Sequence, residues 1–464
     1  MTEFRPWGHK LIDWVADYLQ SPARYPVLST IAPNDIVKSL PARGPEKGEP
    51  MDAIFADFED IVLPGITHWN HPNFLAYFAN TSSPPAVLAE LLAAALNANG
   101  ILWKTSPAVT ELEVVTLRWL LDWFGLPSDW FGMILDTASM GNLHALAAAR
   151  ARACPELRDQ GSPNNLIVYC SEHAHSCIEK GAMALGFGRN NVRRIPSDES
   201  FRMRTDLLEQ AIAQDRAAGL RPCCIAATVG TTSTTAIDPV RAIAAIAERE
   251  GLWLHVDTAY AGSAGVVPEF RWVLDGCERA DSLVFNPHKW LMVPVDCSVF
   301  YCRHRDVLRH AFSLSAEYLE ITDAGLNMTE YGIPLGRRFR ALKLWFVLRY
   351  YGREGLARII REQIAMARDL QDRIAAHPLF EIFAPNDLSV VCFRLRGTNE
   401  ANRVLMESLN QAGPFFYSNT TLNGQYVLRI AVGNMGTTRE TLDQAWSQIA
   451  QFAGGLSESV IVND

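Results

Sequence analysis

Six short apolar runs, separated for the most part by stretches of helical periodicity, constrain the fold of this 464-residue chain more than any other feature. The runs are nearly continuously apolar, which is typical of strands that are buried on both faces. They are GMILD (132–136), LIVYC (166–170), CCIAATVG (223–230), LWLHVD (252–257), SLVFN (282–286) and CSVFYC (297–302). This alternation of strands and helices predicts an α/β fold with a mostly parallel central sheet.

Three segments that differ in their sequence pattern are predicted. Residues 1–84 carry apolar side chains at helical spacing but too few to make a core, so this N-terminal helical segment is expected to pack on another surface, such as a second subunit. Residues 85–336 contain the six runs and form the large α/β domain. Residues 337–464 begin with long helical patterns and continue with two further apolar runs, which indicates a smaller α+β domain.

Composition and charge exclude several classes of partner. The net charge is −9, and an acidic chain without a long run of lysine and arginine repels a phosphate backbone, so we expect no nucleic-acid partner. No apolar run is long enough to cross a bilayer, so we expect no membrane span. Residues 1–20 carry charges throughout, without an apolar signal core, and the nine cysteines include no CxxC pair. We therefore expect reduced thiols and a cytoplasmic location.

Polar residues follow the predicted strands, where an open parallel sheet binds its ligands. Thr137, Ala138 and Ser139 open a helical pattern after the first run, and a helix N-terminus with hydroxyl groups suits a phosphate, although simple N-capping explains the same residues. The pair His173 and His175 follows the second run without a cysteine or carboxylate cluster at ligand spacing, so no metal site is predicted.

Charged residues lie at or just after the ends of the predicted strands at 252–257 and 282–286. Asp257 ends a buried apolar strand, where a carboxylate needs a partner, and we expect a cationic group to face it. Lys289 follows His288 and precedes Trp290, so it is either a surface side chain or a reactive amine whose apolar neighbours depress its pKa. Pyridoxal phosphate requires a lysine amine, a carboxylate at its ring nitrogen and a helix N-terminus at its phosphate, and these residues therefore predict that cofactor.

Five ordered blocks carry a more specific resemblance. They are THWNHPNFLAYF (67–78), SPAVTELE (106–113), HVDTAYAGSA (255–264), NPHKWL (286–291) and PLGRRFRALKLWFVLR (334–349). These blocks resemble those of the aromatic-L-amino-acid decarboxylases, which are group II pyridoxal-phosphate-dependent decarboxylases, and the resemblance extends to about residue 453. It implies a fold type I enzyme that forms a homodimer, with the active site shared between subunits.

The resemblance also implies roles for individual residues. Lys289 is similar to the Schiff-base lysine, Asp257 to the partner of the pyridine nitrogen, and His175 to the histidine stacked on the cofactor ring. Tyr318 matches a tyrosine on a mobile loop that returns a proton to the substrate, with Tyr331 as an alternative donor. The other implied cofactor contacts are Thr137, Ala138, Ser139, Thr232, Ala259, Asn286 and His288, with Leu335 and Gly336 contributed by the second subunit.

The substrate side of the site is predicted in the same way. Asn80 stands where the family often has a smaller hydroxyl residue, and it is expected to reach a ring hydroxyl or an indole N–H. Gly336 leaves room for large rings and disfavours a histidine decarboxylase. The predicted pocket walls, for which ordinary core packing is the alternative, are Trp69, Tyr77, Phe78, Ile101 and Leu102, with His175 also facing the substrate.

The expected activity is decarboxylation of an aromatic L-amino acid (tryptophan, tyrosine, phenylalanine or DOPA) to the arylalkylamine and CO₂. An alternative is oxidative decarboxylation to an aryl acetaldehyde, by relatives that typically replace the loop tyrosine or the stacking histidine. Both Tyr318 and His175 are retained here. Decarboxylation of another amino acid and a non-catalytic cofactor-binding role are the remaining alternatives.

Overall fold

The computed structural model describes residues 3–78, 80–314 and 325–456. The chain forms two compact units. We call the unit of Met1–Ala79, Arg373–Glu381 and Phe393–Asp464 the terminal unit, and the unit of Asn80–Asp372 and Ile382–Cys392 the central unit.

A seven-stranded sheet forms the core of the central unit. Its strands lie in the order β1-β7-β6-β5-β4-β2-β3, with bounds β1 Phe131–Leu135, β2 Leu166–Ser171, β3 Val192–Ile195, β4 Arg221–Thr228, β5 Trp253–Asp257, β6 Ser282–Phe285 and β7 Ser298–Cys302. Strands β2 to β6 are parallel to one another, and β7 runs antiparallel to both β1 and β6. The predicted mostly parallel α/β sheet is therefore confirmed.

All six predicted strands are present, and the sequence missed β3. This strand lies at the edge of the sheet and is only partly buried, with the sequence VRRI. Its two arginines interrupt the apolar run by which the buried strands were recognised, and charged side chains are common on edge strands because they oppose pairing with another chain.

Helices surround this sheet and form much of the terminal unit. The first group is α1 Phe4–Gln20, α2 Asp35–Ser39, α3 Met51–Asp57, α4 Pro84–Leu96, α5 Pro107–Phe124, α6 Ala138–Ala153, α7 Leu157–Gln160 and α8 Cys177–Ala184. The second is α9 Thr205–Ala217, α10 Val240–Glu250, α11 Pro287–Trp290, α12 Arg305–Phe312, α13 Arg340–Ala376, α14 Asn399–Ala412 and α15 Arg439–Gly454. Helix α13 is kinked at Gly352 (φ 63°), where the backbone leaves the helical region. Within the described ranges, no helix has the length and hydropathy that a bilayer span requires.

A second sheet has the order β10-β11-β9-β8, with bounds β8 Phe380–Ile382, β9 Val390–Leu395, β10 Ser418–Leu422 and β11 Gln425–Ala431. A two-residue turn at Asn423 and Gly424 joins β10 to β11, and both residues have positive φ angles of 49° and 75°. Asparagine followed by glycine favours this turn because both residues tolerate the left-handed region. With α14 and α15, these strands give the small α+β part that the sequence predicted.

Candidate active site

A cavity of about 210 Å³ lies where strands of the seven-stranded sheet end. The register of the sheet places Thr228 beside Asp257 at the carboxyl ends of β4 and β5. Ten of the predicted cofactor contacts line this cavity, namely Thr137, Ala138, Ser139, His175, Thr232, Asp257, Ala259, Asn286, His288 and Lys289. The tertiary structure therefore brings together side chains that are up to 152 residues apart, from Thr137 to Lys289.

Three further residues of the lining were not predicted: Cys177, Thr228 and Gly230. Gly230 has a φ of 88°, and a Cβ placed on it would lie 2.6 Å from the Cβ of Ala261. A side chain would therefore be strained and crowded at this turn after β4. The only sequence signal for these residues was their position, since Thr228 and Gly230 end an apolar run and Cys177 is two residues beyond His175.

Two N–H donors fix the orientation of the Asp257 side chain. The side chain is 5% exposed. Its Oδ1 accepts a hydrogen bond from the Ala259 backbone N–H (3.0 Å), and its Oδ2 accepts one from Asn142 Nδ2 (2.8 Å). A carboxyl group fixed at this wall of the cavity is the kind of partner that the pyridine nitrogen of the cofactor requires.

Two histidines present a single N–H to the cavity. The Cys177 backbone N–H donates to His175 Nδ1 (3.2 Å), and the Cys297 backbone N–H donates to His288 Nδ1 (2.9 Å). Burial lowers the pKa of His175 and lowers the pKa of His288 to about 4. Both imidazoles are therefore neutral at pH 7. Because Nδ1 accepts in each ring, the proton is on Nε2.

Lys289 is anchored through its neighbours. It lies on α11, where its backbone N–H donates to the Asn286 carbonyl (2.9 Å). The next residue, Trp290, stacks on Tyr260 with ring centroids 4.7 Å apart, and its indole N–H donates to Gln363 Oε1 (2.6 Å). This packing fixes the backbone from which the Lys289 amine extends. The side chain lines the cavity, which favours the prediction of a reactive amine over that of a surface side chain.

The remaining predicted residues lie elsewhere. Leu335 and Gly336 do not line the cavity, and their assignment to a partner subunit stays a prediction. Ile101 and Leu102 are half-buried outside the lining. Tyr318 lies outside the described residues.

Tyr331, the alternative proton donor, belongs to the core of the central unit. Its hydroxyl accepts a hydrogen bond from Arg305 Nε (2.6 Å), and its ring packs on Phe131 with centroids 4.4 Å apart. The side chain is 1% exposed and does not line the cavity. This packing removes the geometric basis for Tyr331 as a proton donor.

The predicted aromatic walls of the substrate pocket lie in the terminal unit. Trp69 packs on Phe74 (4.4 Å) and stacks on Tyr77 (5.9 Å), and Phe416 contacts both Phe74 and Tyr77. We call these four residues the aromatic cluster. The neighbouring Phe78 lies under the Arg429 guanidinium, 4.8 Å from its ring centroid.

The central-unit cavity fits pyridoxal phosphate. The N-cap Thr137 makes no side-chain hydrogen bond to the first turn of α6, so this 16-residue helix directs unfilled N–H groups and a positive dipole end at the cavity. Asn286 is 3% exposed, yet its Oδ1 has no hydrogen-bond partner within the described residues. Uncapped helix donors and an unpaired buried amide are the features expected where a polar ligand completes the site.

Comparisons with known proteins identify the family. Residues 33–396 match the pyridoxal-dependent decarboxylase conserved domain. The chain is similar to aromatic-L-amino-acid decarboxylase of Bos taurus (41% identity over 97% of this chain and 96% of that protein). It is also similar to phenylacetaldehyde synthase of Arabidopsis thaliana (39% identity over 98% of this chain and 96% of that protein).

A solved structure agrees with these relatives. The chain resembles Oryza sativa TDC with PLP and tryptamine, with a TM-score of 0.95, 37% identity and 98% coverage of both chains. The match in sequence and in fold, together with a cavity that suits the cofactor, shows that this chain belongs to the pyridoxal-dependent decarboxylase family.

Proposed function

We propose that this pyridoxal-phosphate-dependent carboxy-lyase removes CO₂ from aromatic L-amino acids (tryptophan, tyrosine, phenylalanine or DOPA) and releases the arylalkylamine. The observation that carries the proposal is the meeting of Lys289, Asp257 and His175 in one cavity of a chain with aromatic-amino-acid-decarboxylating relatives. The cofactor, when bound, supplies an aldehyde for amine exchange and a ring that accepts the electron pair left by departing CO₂.

Each residue of the cavity has a proposed task. The Lys289 amine attaches the cofactor, and the Asp257 carboxylate keeps a proton on the ring nitrogen. The N–H groups at the start of α6, Ser139 and the Nε2–H of His288 hold the phosphate. His175 would lie against the cofactor ring, and its Nε2–H would be available to the substrate. Asn286, Thr137, Ala138, Thr232 and Ala259 complete the proposed contacts.

The last step needs a proton at the substrate Cα, and we assign it to Tyr318, with His175 in the relay. Two observations support this assignment: Tyr331 packs in the core, and neutral His175 holds one proton at Nε2. In the presence of O₂ as oxidant and water, Tyr318→Phe is expected to divert product from the amine to the aldehyde, with release of ammonia and hydrogen peroxide. If the amine remains the sole product at an undiminished rate, the assignment of Tyr318 is wrong.

The aromatic cluster and Asn80 support an aromatic substrate. Asn80 Oδ1 is buried without a hydrogen-bond partner within the described residues, so it is available to an indole N–H or a phenolic hydroxyl. Trp69, Tyr77, Phe78, Ile101 and Leu102 remain the proposed walls. The alternative product, an aryl acetaldehyde, is favoured by the similarity to acetaldehyde synthases, and release of peroxide and ammonia would distinguish it.

The assembly and location are also proposed. We propose a homodimer that shares its active site, with Leu335 and Gly336 reaching the partner's cofactor. Exposed apolar side chains on α4 support a buried interface there, because Leu88, Leu91, Leu92 and Leu96 are 47–64% exposed in the single chain. The proposed segments are 1–84 for dimerisation, 85–336 for cofactor binding and 337–464 as the small domain. We propose a cytoplasmic location, since none of the nine cysteines, all of which the structure describes, forms a disulfide.

One experiment tests the central assignment. Purified protein is loaded with pyridoxal phosphate and offered each aromatic amino acid, and amine, CO₂, peroxide and ammonia are quantified. Borohydride reduction followed by peptide mass spectrometry locates the attached cofactor, which is expected on Lys289. Lys289→Ala should abolish both attachment and turnover, whereas the exposed control Lys38→Ala should retain both. Attachment at another lysine, or turnover by Lys289→Ala, would overturn the proposal.

A further inference from the structure

Asp257 is supported from inside the protein by a chain of side chains that do not line the cavity. Asn142, His255, Ser282 and Trp253 are each 0% exposed. Trp253 Nε1 donates to Ser282 Oγ (2.8 Å), Ser282 Oγ lies 2.9 Å from His255 Nδ1, and His255 Nε2 lies 2.6 Å from Asn142 Oδ1. Asn142 Nδ2 then donates to Asp257 Oδ2 (2.8 Å), so an unbroken chain of hydrogen bonds ends on the carboxylate.

The geometry of strand and helix produces this chain. Trp253, His255 and Asp257 alternate along β5, so their side chains leave the same face of the sheet. Ser282 is the register partner of His255 on β6. Helix α6 approaches this face closely, because a Cβ on Gly141 would lie 2.5 Å from Val284 Cγ2. The missing side chain at Gly141 lets the next residue, Asn142, reach the strand.

The hydrogen-bond donors of this chain find the most partners in one direction. Ser282 Oγ already accepts from the Trp253 indole, so its own proton is used best by donating to His255 Nδ1. The proton of neutral His255 is then on Nε2 and is donated to Asn142 Oδ1, which turns the Asn142 amide nitrogen toward Asp257. The opposite arrangement would leave the serine proton without a use and set an amide oxygen against the carboxylate.

Two further observations agree with this direction. Burial lowers the pKa of His255 to about 4, with Asp257 opposing that shift, so the imidazole is neutral at pH 7. The second N–H of Asn142 Nδ2 has an acceptor in Cys177 Sγ (2.9 Å). Both N–H groups of Asn142 Nδ2 therefore have an acceptor. Rotation of the amide would break its contacts with Asp257, Cys177 and His255 at once.

We propose that Asn142 and His255 are positioning residues for the decarboxylation, acting through Asp257 by aiming its carboxyl group at the cofactor nitrogen. This inference rests on the proposed role of Asp257. Neither residue touches the cavity, so the effect of each reaches the ring only through the carboxylate. Loss of the Asn142 N–H donor lets the Asp257 side chain turn away from the ring nitrogen, and this weakens retention of the proton there.

The test compares variants in the holoenzyme. Asn142→Leu and His255→Leu remove the donors, whereas His255→Gln keeps an amide N–H for Asn142 Oδ1. With cofactor labelled with ¹⁵N in the ring, the leucine variants are expected to shift the nitrogen resonance toward that of unprotonated pyridine and to weaken cofactor binding about tenfold, the usual effect of a lost supporting contact. His255→Gln should restore most of both properties, which a purely space-filling role of His255 would not predict.

The control is Tyr301→Phe, which removes another fully buried hydrogen bond of the same sheet, from the Tyr301 hydroxyl to the Leu117 carbonyl (2.7 Å). It should leave the ring-nitrogen resonance unchanged. Folded leucine variants with the wild-type resonance and affinity would overturn the inference. If Asp257→Asn itself leaves the resonance unchanged, the proposed role of Asp257 is wrong. That outcome is distinct from a failure of the inference on Asn142 and His255 alone.

A measurement on the wild-type enzyme covers the case in which the variants do not fold. Selective ¹⁵N labelling of histidine reports which ring nitrogen of His255 carries the proton. The expected result is a proton on Nε2. A proton on Nδ1 would mean that the hydrogen bonds run in the opposite direction. This result on the wild-type enzyme would overturn the inference.

Discussion

Different interactions stabilise the cavity of the central unit and the aromatic cluster of the terminal unit. Around the cavity, Asp257, His175 and His288 are fixed by directed hydrogen bonds. In the aromatic cluster, rings such as Trp69 and Phe74 are fixed by shape and contact area. The cavity should therefore be sensitive to a substitution that changes a hydrogen-bond donor or acceptor at constant side-chain volume. The cluster should be sensitive to a change in side-chain volume.

The largest effect is expected for Asp257→Asn. The substitution keeps the volume but removes the charge and one of two acceptor oxygens, so the Ala259 N–H or the Asn142 Nδ2–H loses its partner. We expect kcat/KM to fall about 10³-fold, equivalent to about 4 kcal/mol of transition-state stabilisation. Steady-state kinetics with the preferred aromatic amino acid measures this effect.

A matched control is Asp215→Asn in the same unit. Asp215 is 7% exposed, and it pairs with Arg193 and with the Tyr169 hydroxyl away from the cavity. It should lower stability without changing the absorbance of the bound cofactor. Equal catalytic losses in the two variants would show that any buried carboxylate is needed only for folding, and the proposed role of Asp257 would be wrong.

The second effect tests volume in the aromatic cluster. Phe74 is 0% exposed and contacts Trp69, Tyr77 and Phe416. Phe74→Ala should lower the free energy of unfolding by about 3 kcal/mol through lost burial and an unfilled cavity, and Phe74→Leu by less. Urea titration measures the loss. If folded Phe74→Leu also lost affinity for the cofactor, the distinction between the two regions would be wrong.

The third effect concerns acid. Burial, assisted by His68, lowers the pKa of His71 to about 4, so the folded chain favours the neutral ring. The unfolded chain takes up this proton below pH 6.5, and stability is therefore lost as pH falls from about 6.5 to about 4. The loss from His71 is at most about 2 kcal/mol at pH 5. The same direction holds for His144, His255 and His288 of the central unit, whose pKa values are also lowered to about 4.

A non-titrating variant isolates the contribution of His71. His71→Asn keeps an acceptor for the Asn73 backbone N–H, which donates to His71 Nδ1 (3.0 Å), because asparagine forms the same local turn. Urea unfolding at pH 7 and pH 5 should show a smaller acid loss for this variant than for the wild type. The exposed control His9→Asn should leave the acid loss unchanged. An unaltered acid loss in His71→Asn would contradict the lowered pKa.

The smallest effect is expected at Tyr77, which is 53% exposed. Tyr77→Ala should change the free energy of unfolding by less than about 1 kcal/mol, because little of the side chain is buried. Because Tyr77 is a proposed pocket wall, however, its loss should raise KM for an aromatic amino acid about tenfold. Tyr350→Ala, at a residue that is 70% exposed, is the control and should leave KM unchanged. An unchanged KM in Tyr77→Ala would remove Tyr77 from the substrate pocket.

Much of the central unit was predictable because buried parallel strands leave a strong apolar signal. Strand β3 was not, since Arg193 and Arg194 of this edge strand carry no such signal. The polar residues at strand ends were predictable for the same topological reason, and they meet in one cavity. Cys177 and Gly230 were missed because a small residue looks the same in sequence whether it lines a site or fills a turn.

The amino-acid sequence by itself determined six strands of the large sheet and their polar ends, because these follow from local composition and periodicity. It also contains the five ordered blocks on which the family resemblance rests. Only the tertiary structure decided the direction of the hydrogen bonds behind Asp257 and the core position of Tyr331. A donor's direction depends on which atoms of distant segments come within 3 Å of one another. Asn142 faces Asp257 only because α6 packs closely on β6 at Gly141, and no pattern within either segment contains that distance.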